Sequence, residues 1–319
     1  MIKSEVYVNH THWSNYWQSG VQTSLPQDFK DNYDGEIYYL WEQVVSRLNS
    51  GARVVDACTG NGAVALILAD IALKQQKQLI ITAVDISEIN TQYIKENNPK
   101  EQIAMINFKS HCPIERLADL INDQQDAIVS QFGLEYSDLT QSAVALHNLM
   151  KENGELSFIA HSPKSAVFTY MDLESRIYTW LDEIGLFAII KKFIAGQVSA
   201  NGLKNGIVSV IENNKPDTSY LGHGLFQSWQ KTMFMLIKQP NQQLKQQKQS
   251  LSLFVTQHQA AQKRLQDMLN VAMKVSKNNW YQPFVDCGFE LEESNDVLYK
   301  NQHHIGRYYR FRSMVLEKP

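Results

Sequence analysis

A chain of 319 residues, 44% hydrophobic and 20% charged, has room for one large α/β domain carrying an insertion, and its composition excludes global disorder. Thirty basic against 33 acidic residues give a formal net charge of −3, which argues against a general polyanion binder, so no nucleic-acid partner is expected. Three scattered cysteines, no eighteen-residue apolar run and an N-terminus without a signal-peptide core exclude a disulfide framework and predict a cytoplasmic protein without a transmembrane segment.

The first fifty residues open with an aromatic cluster: His10, His12, Trp13, Tyr16 and Trp17. It reads either as a helix packed over a sheet edge or as a lid whose rings cover a cation, at about 0.5–2 kcal/mol per contact. From Ile37, apolar residues at Leu40, Trp41, Val44, Val45 and Leu48 have helical spacing, with Asp34 placed to cap and Asn49–Gly51 to terminate. The period then changes. RVVDA is a short β-branched strand, AVALILADIALK a helix, LIITAVD a second strand and INTQYIKENN a second helix. IAMINF, DAIVSQF and ELSFIAH supply three more strands between helical stretches, which predicts a parallel sheet covered on both faces.

The alternation stops near His161. A helix-rich stretch over 165–192 leads into QVSANGLKNG, whose Gly and Asn content predicts a loop, and NNKPD predicts a turn. A glutamine-rich tract precedes a long helix with a seam from Leu251 to Val275. FELEESNDVLY and IGRYYRFRSMVLEK read as a terminal antiparallel hairpin, in which Arg307, Arg310 and Arg312 guard an edge strand against aggregation. The expected division is an aromatic helical segment over 1–50, an α/β core over 51–162, a mainly helical insertion over 163–256, and a closing helix and hairpin over 257–319. Such an insertion leaves the sheet beside its ligand edge, so Tyr170 and Met171 are expected to line an acceptor pocket; an association module is the alternative.

The stretch Val54–Ala63 places a glycine turn between a strand and a helix. Gly60 and Gly62 let backbone approach a ligand and present helix N-terminal N–H groups. Gly60-Asn61-Gly62-Ala63-Val64-Ala65 passes as a loose dinucleotide fingerprint, but Asp56 at the end of the first strand would repel a pyrophosphate. The same carboxylate favours a ligand carrying an ammonium and a sulfonium. Asp85 ends the second strand, where an acid can accept hydrogen bonds from both hydroxyls of a ribose.

On VVDACTGNG, ITAVD, DAIVSQFGLEY and the terminal hairpin, the sequence resembles the class I S-adenosylmethionine-dependent methyltransferases over about residues 37–162 and 257–319. SQFGLEY and Ile114-Glu115-Arg116-Leu117 lend it the flavour of the ubiquinone-biosynthesis-type small-molecule branch. The resemblance implies a doubly wound, mostly parallel seven-stranded sheet of order 3-2-1-4-5-7-6, with a C-terminal antiparallel hairpin and a helical insertion. It implies S-adenosyl-L-methionine as cofactor, S-adenosyl-L-homocysteine as product and no metal. The residues expected to hold the cofactor are Asp56, Thr59, Gly60, Asn61, Gly62, Asp85, Ile86, His111, Ile114, Ser130 and Gln131. Two departures stand out. Cys58 occupies a place where the family often has glycine, and Cys112-Pro113 replaces the acid that helps to hold adenine, leaving that task to the Ile114 N–H or the His111 side chain.

Methyl transfer needs alignment in a closed, dry site, and a base only where the acceptor is protonated. Residues at the ends of the fourth and fifth strands, Glu135, Tyr136 and His161, are the catalytic candidates. A small-molecule acceptor is expected, since the fourth strand lacks the Asn/Asp-Pro-Pro-aromatic tetrapeptide of base N-methyltransferases. The alternatives are a nucleic-acid or protein methyltransferase and a non-catalytic scaffold. The oligomeric state is left open, with a homodimer compatible.

Overall fold

The computed structural model describes residues 11–24, 29, 31–300 and 302–314. Its elements run α1 (Thr11–Gln18), α2 (Gly35–Arg47), β1 (Arg53–Ala57), α3 (Ala63–Lys74), β2 (Ile80–Val84), α4 (Thr91–Asn97), α5 (Lys100–Ile103), β3 (Ile106–Lys109), β4 (Gln125–Gln131), α6 (Leu139–Leu149) and β5 (Met150–Ala160). Six helices follow: α7 (Ala166–Glu183), α8 (Leu186–Ile194), α9 (Ala200–Asn213), α10 (Gly224–Lys238), α11 (Asn241–Gln246) and α12 (Lys248–Val275). The chain closes with α13 (Gln282–Asp286), β6 (Phe289–Tyr299) and β7 (His303–Ser313). It divides into two compact units, one from the residues up to 166 and from 270 onward, the other from 167–269.

In the first unit all seven strands form one sheet of order β3-β2-β1-β4-β5-β7-β6, parallel from β3 to β5, with β7 antiparallel between β5 and β6. This is the doubly wound order that the resemblance implies. Val54, Val129 and Ile159 join α2 and α3 on one face, while Val55, Ile128 and Phe158 join α6, α13 and the end of α12 on the other. Burial on both faces explains why these strands are continuously apolar and not alternating. The register puts Asp56 beside Val129, and the last residue of β5, Ala160, beside Arg307 of β7.

Three readings are corrected. QVSANGLKNG is not a loop: from Ala200 it is helix α9. Ser199 caps it by accepting the Gly202 N–H at 3.1 Å, and Leu203 and Ile207 bury one face. Gly206 lies where a Cβ would meet the Ile189 side chain at 2.6 Å, so its lack of a side chain serves close packing of α9 on α8. Second, β7 is an interior strand and β6 the edge. Arg310 and Arg312 therefore pair across to Glu292, and Arg310 also to Glu293 at 3.3 Å, instead of guarding an edge. Third, Asp34 precedes α2 without capping it, because its carboxylate accepts the Tyr299 phenol at 2.7 Å.

The second unit has its own core. Tyr178, Phe187, Leu203, Ile207, Trp229 and Val255 belong to one apolar cluster fed by α7 through α12. Trp229 sits between the Phe187 and Phe254 rings, at 5.1 and 5.0 Å between centroids.

Candidate active site at the C-terminal edge of the sheet

The end of β1 and the following turn are organised by two acids. Asp56 is buried, and its Oδ2 accepts the Thr59 hydroxyl at 2.5 Å and the Ala65 N–H at 3.0 Å, which fixes the start of α3. Its Oδ1 is buried without a hydrogen-bond partner. Burial pushes this carboxyl up to about 7, the Thr59 and Ala65 bonds pull it down, and the nearby Asp85 charge adds to the rise. Asp85 accepts the Gly60 N–H through Oδ2 and the Ser87 N–H through Oδ1, both at 2.8 Å. A carboxylate oxygen takes more than one donor, so these bonds orient the group without exhausting it.

The turn itself is left-handed at several points. Gly60 and Gly62 have φ of +56° and +77°, and Cys58 between β1 and Gly60 has φ +58°. Cys58 keeps its side chain by packing it against Gly133, where a Cβ would fall well inside contact with the Cys58 Cβ. Burial raises the thiol well above its ordinary range, so Cys58 is a packing residue in the neutral form.

A second group gathers after β4 and β5. Ser130 and Gln131 end β4. Gln131 Oε1 accepts the Trp41 indole N–H at 2.8 Å, while Ser130 Oγ and Gln131 Nε2 are buried without a hydrogen-bond partner. Glu135 is 0% exposed; one oxygen accepts the His161 backbone N–H at 2.8 Å and the other, Oε2, has no hydrogen-bond partner. Burial lifts Glu135 to about 7, against the lowering influence of that N–H and of Lys274. The His161 ring stacks on Phe132 at 4.8 Å and its Nε2 lies 3.0 Å from the Tyr136 hydroxyl. Burial alone pulls His161 down to about 3, so the imidazole is neutral at ordinary pH.

The remaining candidates fall around this edge. Ile86 is half-buried directly after Asp85, and Ile114 is buried at the start of a 3₁₀ turn. His111 turns its Nε2 to Glu88 Oε2 at 2.5 Å, while the next residue, Cys112, donates its N–H to the Asp85 carbonyl at 2.8 Å. Asn61 is wholly buried and its side chain is committed within the chain, donating to the Trp17 and Val21 carbonyls and accepting the Asn90 N–H. What Asn61 offers a ligand is therefore its backbone. Of the aromatic cluster, Trp13 meets Tyr136 edge-on at 5.7 Å and Trp17 lies against Gly60; His10 is outside the described residues. Among the described residues no group of three or more His, Cys, Asp or Glu is arranged to hold a metal ion, and no helix is long and apolar enough to cross a membrane.

Two supports of the site had no signal in the sequence. Lys274 Nζ, from the far end of α12, donates to the carbonyls of Glu135 at 2.8 Å and Ser137 at 3.2 Å. Trp41 sets the Gln131 amide across ninety residues of sequence. Both contacts exist only through the tertiary fold.

The match to known families falls on this same region: residues 55–158 match the family model described as a methyltransferase domain. The matched segment covers the glycine turn, Asp85, Glu135 and Tyr136, and ends within β5 just before His161. Solved structures similar to the chain include TrmN from Thermus thermophilus, at 18% identity over 40% of this chain and 39% of that one, with a TM-score of 0.33. Another is the cyclase SpnF, at 18% identity over 51% and 60%, with a TM-score of 0.36. A third, described as the conversion of a disulfide bond into a thioacetal group during echinomycin biosynthesis, is matched at 14% identity over 87% and 81%, with a TM-score of 0.38. The chain thus spans about two fifths of the TrmN structure. No curated protein matches the chain.

Proposed function

We propose that this protein transfers a methyl group from S-adenosylmethionine to a small-molecule acceptor, using residues of the matched segment and the edge beside it. The observation that carries the reading is the pairing of Asp56 and Asp85 about the Gly60 turn, with Asp56 Oδ1 buried and unpartnered. A buried carboxyl held near pH 7 takes an ammonium well, because the cation restores its ionised form in a site where water does not screen the attraction. Asp85 is the group for the ribose hydroxyls, and the Gly60–Gly62 backbone lets the ligand approach. Ile86, Ile114 and His111 border the expected adenine end, and Ser130 and Gln131 the methionine end.

The bound cofactor supplies an electrophilic methyl group on a sulfonium. The chain's part is alignment, exclusion of water and proton handling. The His161 Nε2 and the Tyr136 hydroxyl lie 3.0 Å apart, so the imidazole tautomer decides which of the two donates and orients the phenol toward the acceptor. A site whose histidine titrates near 3 has Glu135, held near 7, as its better-matched proton acceptor.

Calorimetric titration of the protein with S-adenosylmethionine, S-adenosylhomocysteine and NAD tests the cofactor. Binding of the first two and not of NAD is expected, and selective NAD binding rejects the reading. Transfer of a labelled methyl group to tRNA or DNA in preference to a panel of small phenols and amines rejects the acceptor class.

A further inference from the structure

The space over the glycine turn is filled by the chain itself. A Cβ at Gly60 would lie 2.5–2.8 Å from three atoms of the Trp17 indole, so the ring lies directly against the backbone that a ligand must reach. Tyr16 packs on Trp17 at 4.9 Å between ring centroids, and Trp13 carries the same helix across to Tyr136. Helix α1 therefore roofs the cleft from the end of β1 to the loop after β4.

The roof is fastened by polar bonds, and most converge on one residue. Asn61 Nδ2 donates to the Trp17 carbonyl at 2.8 Å and the Val21 carbonyl at 2.7 Å. Its Oδ1 accepts the Asn90 N–H at 3.0 Å, and its own carbonyl accepts Gln22 Nε2 at 2.6 Å. Asn90 reaches back to the Gln18 carbonyl at 3.3 Å, and Ser14 Oγ accepts the Glu88 N–H at 3.1 Å. One side chain in the middle of Gly60-Asn61-Gly62 thus joins the glycine turn, the loop after β2 and the N-terminal strap. The amide is matched to this task, since it alone among small side chains offers two donors and an acceptor together. Aspartate lacks the donors, and serine lacks the reach.

We infer that α1 is a hinged strap closed over the glycine turn, that Asn61 is its latch, and that ligand exchange at this cleft requires the strap to lift. Asn61 is a positioning residue, acting through Trp17 and not on the ligand. The ligand part of the inference rests on the cofactor reading above; the strap itself does not. A strap that must open before ligand enters or leaves slows both directions, whereas a side chain that is simply a wall of the site affects only departure.

Stopped-flow binding of S-adenosylhomocysteine, read by tryptophan fluorescence, distinguishes the two for wild type, Asn61→Ala and Trp17→Ala. Association and dissociation rates are both expected to rise about tenfold or more in each variant, since Asn61→Ala removes three side-chain hydrogen bonds of the latch and Trp17→Ala its packing counterpart. A rise in the dissociation rate alone, or unchanged rates, overturns the inference. Without ligand, limited proteolysis provides a separate readout. Cleavage within residues 11–24 is expected to quicken in Asn61→Ala while the sheet stays resistant, and equal cleavage in wild type and variant refutes the latch. Faster cleavage together with no S-adenosylhomocysteine binding by any form overturns the cofactor reading and leaves the strap standing. Trp17→Ala guards against misfolding of Asn61→Ala, because it removes the ring and leaves every latch bond in place.

Discussion

Glu135 carries the sharpest consequence at the level of a single residue. Its ordinary carboxyl value is 4.5, and burial lifts it to about 7 in the folded chain. Below 4.5 both states hold the proton; between 4.5 and 7 only the folded state does; above 7 neither does. Stability therefore falls as pH rises through that window and levels off above it. Glu135→Gln keeps an acceptor for the His161 N–H and removes the titration. The variant should gain on wild type by about 1–3 kcal/mol between pH 4 and pH 8, measured by urea denaturation at each pH. A stability difference independent of pH would show that the carboxyl is not held up by burial. His161 works in the opposite sense: its folded value of about 3 lies below the ordinary 6.5, so stability is lost as pH falls through that range. The residue types here were legible in the sequence, but their protonation states were not. Burial sets those states, and the contacts around the two residues, Phe132 and Tyr136 against the His161 ring and Lys274 on the Glu135 carbonyl, form only in the folded chain.

At the level of elements, the site depends on how closely the turns after β1 and β4 approach. Cys58 accepts a left-handed backbone that glycine would adopt freely, and its side chain occupies the space that Gly133 leaves open. Gly133→Ala should be destabilised by about 1–3 kcal/mol, the usual result of overpacking a tight contact. Cys58→Gly removes the opposing atoms and relieves the left-handed strain, so the double variant should recover most of that loss. The measurement is a double-mutant cycle by denaturant unfolding, with a coupling of about 1–3 kcal/mol expected. Additive effects would mean that the two turns do not constrain each other. The strands around these turns were legible because burial on both faces writes a continuous apolar run into β1, β2, β4 and β5. Helix α9 was not legible. Gly202 and Gly206 read as loop residues by local propensity, and only the neighbouring α8, with Ile189 against Gly206, shows why glycine serves a helix there.

For the whole molecule, helical periodicity from Leu251 to Val275 announced a buried face without saying what buries it. In the structure the answer changes along α12: Leu251, Val255 and Leu265 join the core of the helical unit, and Val271 and Val275 join the sheet. Each unit thus has an apolar core of its own, and the acids and glycines of the candidate site all belong to the sheet unit. Ligand binding stabilises the folded state of whatever unfolds with the site, by about 2.7 kcal/mol at a hundredfold excess over Kd. If the units open independently, that gain should be confined to the sheet unit. Hydrogen exchange with and without S-adenosylhomocysteine should therefore show slower exchange over 54–65, 85–94 and 127–134. Residues 187–194 and 226–236, in the core of the helical unit, should exchange at unchanged rates. Equal added protection in both units would mean that they unfold as one cooperative body despite their separate cores.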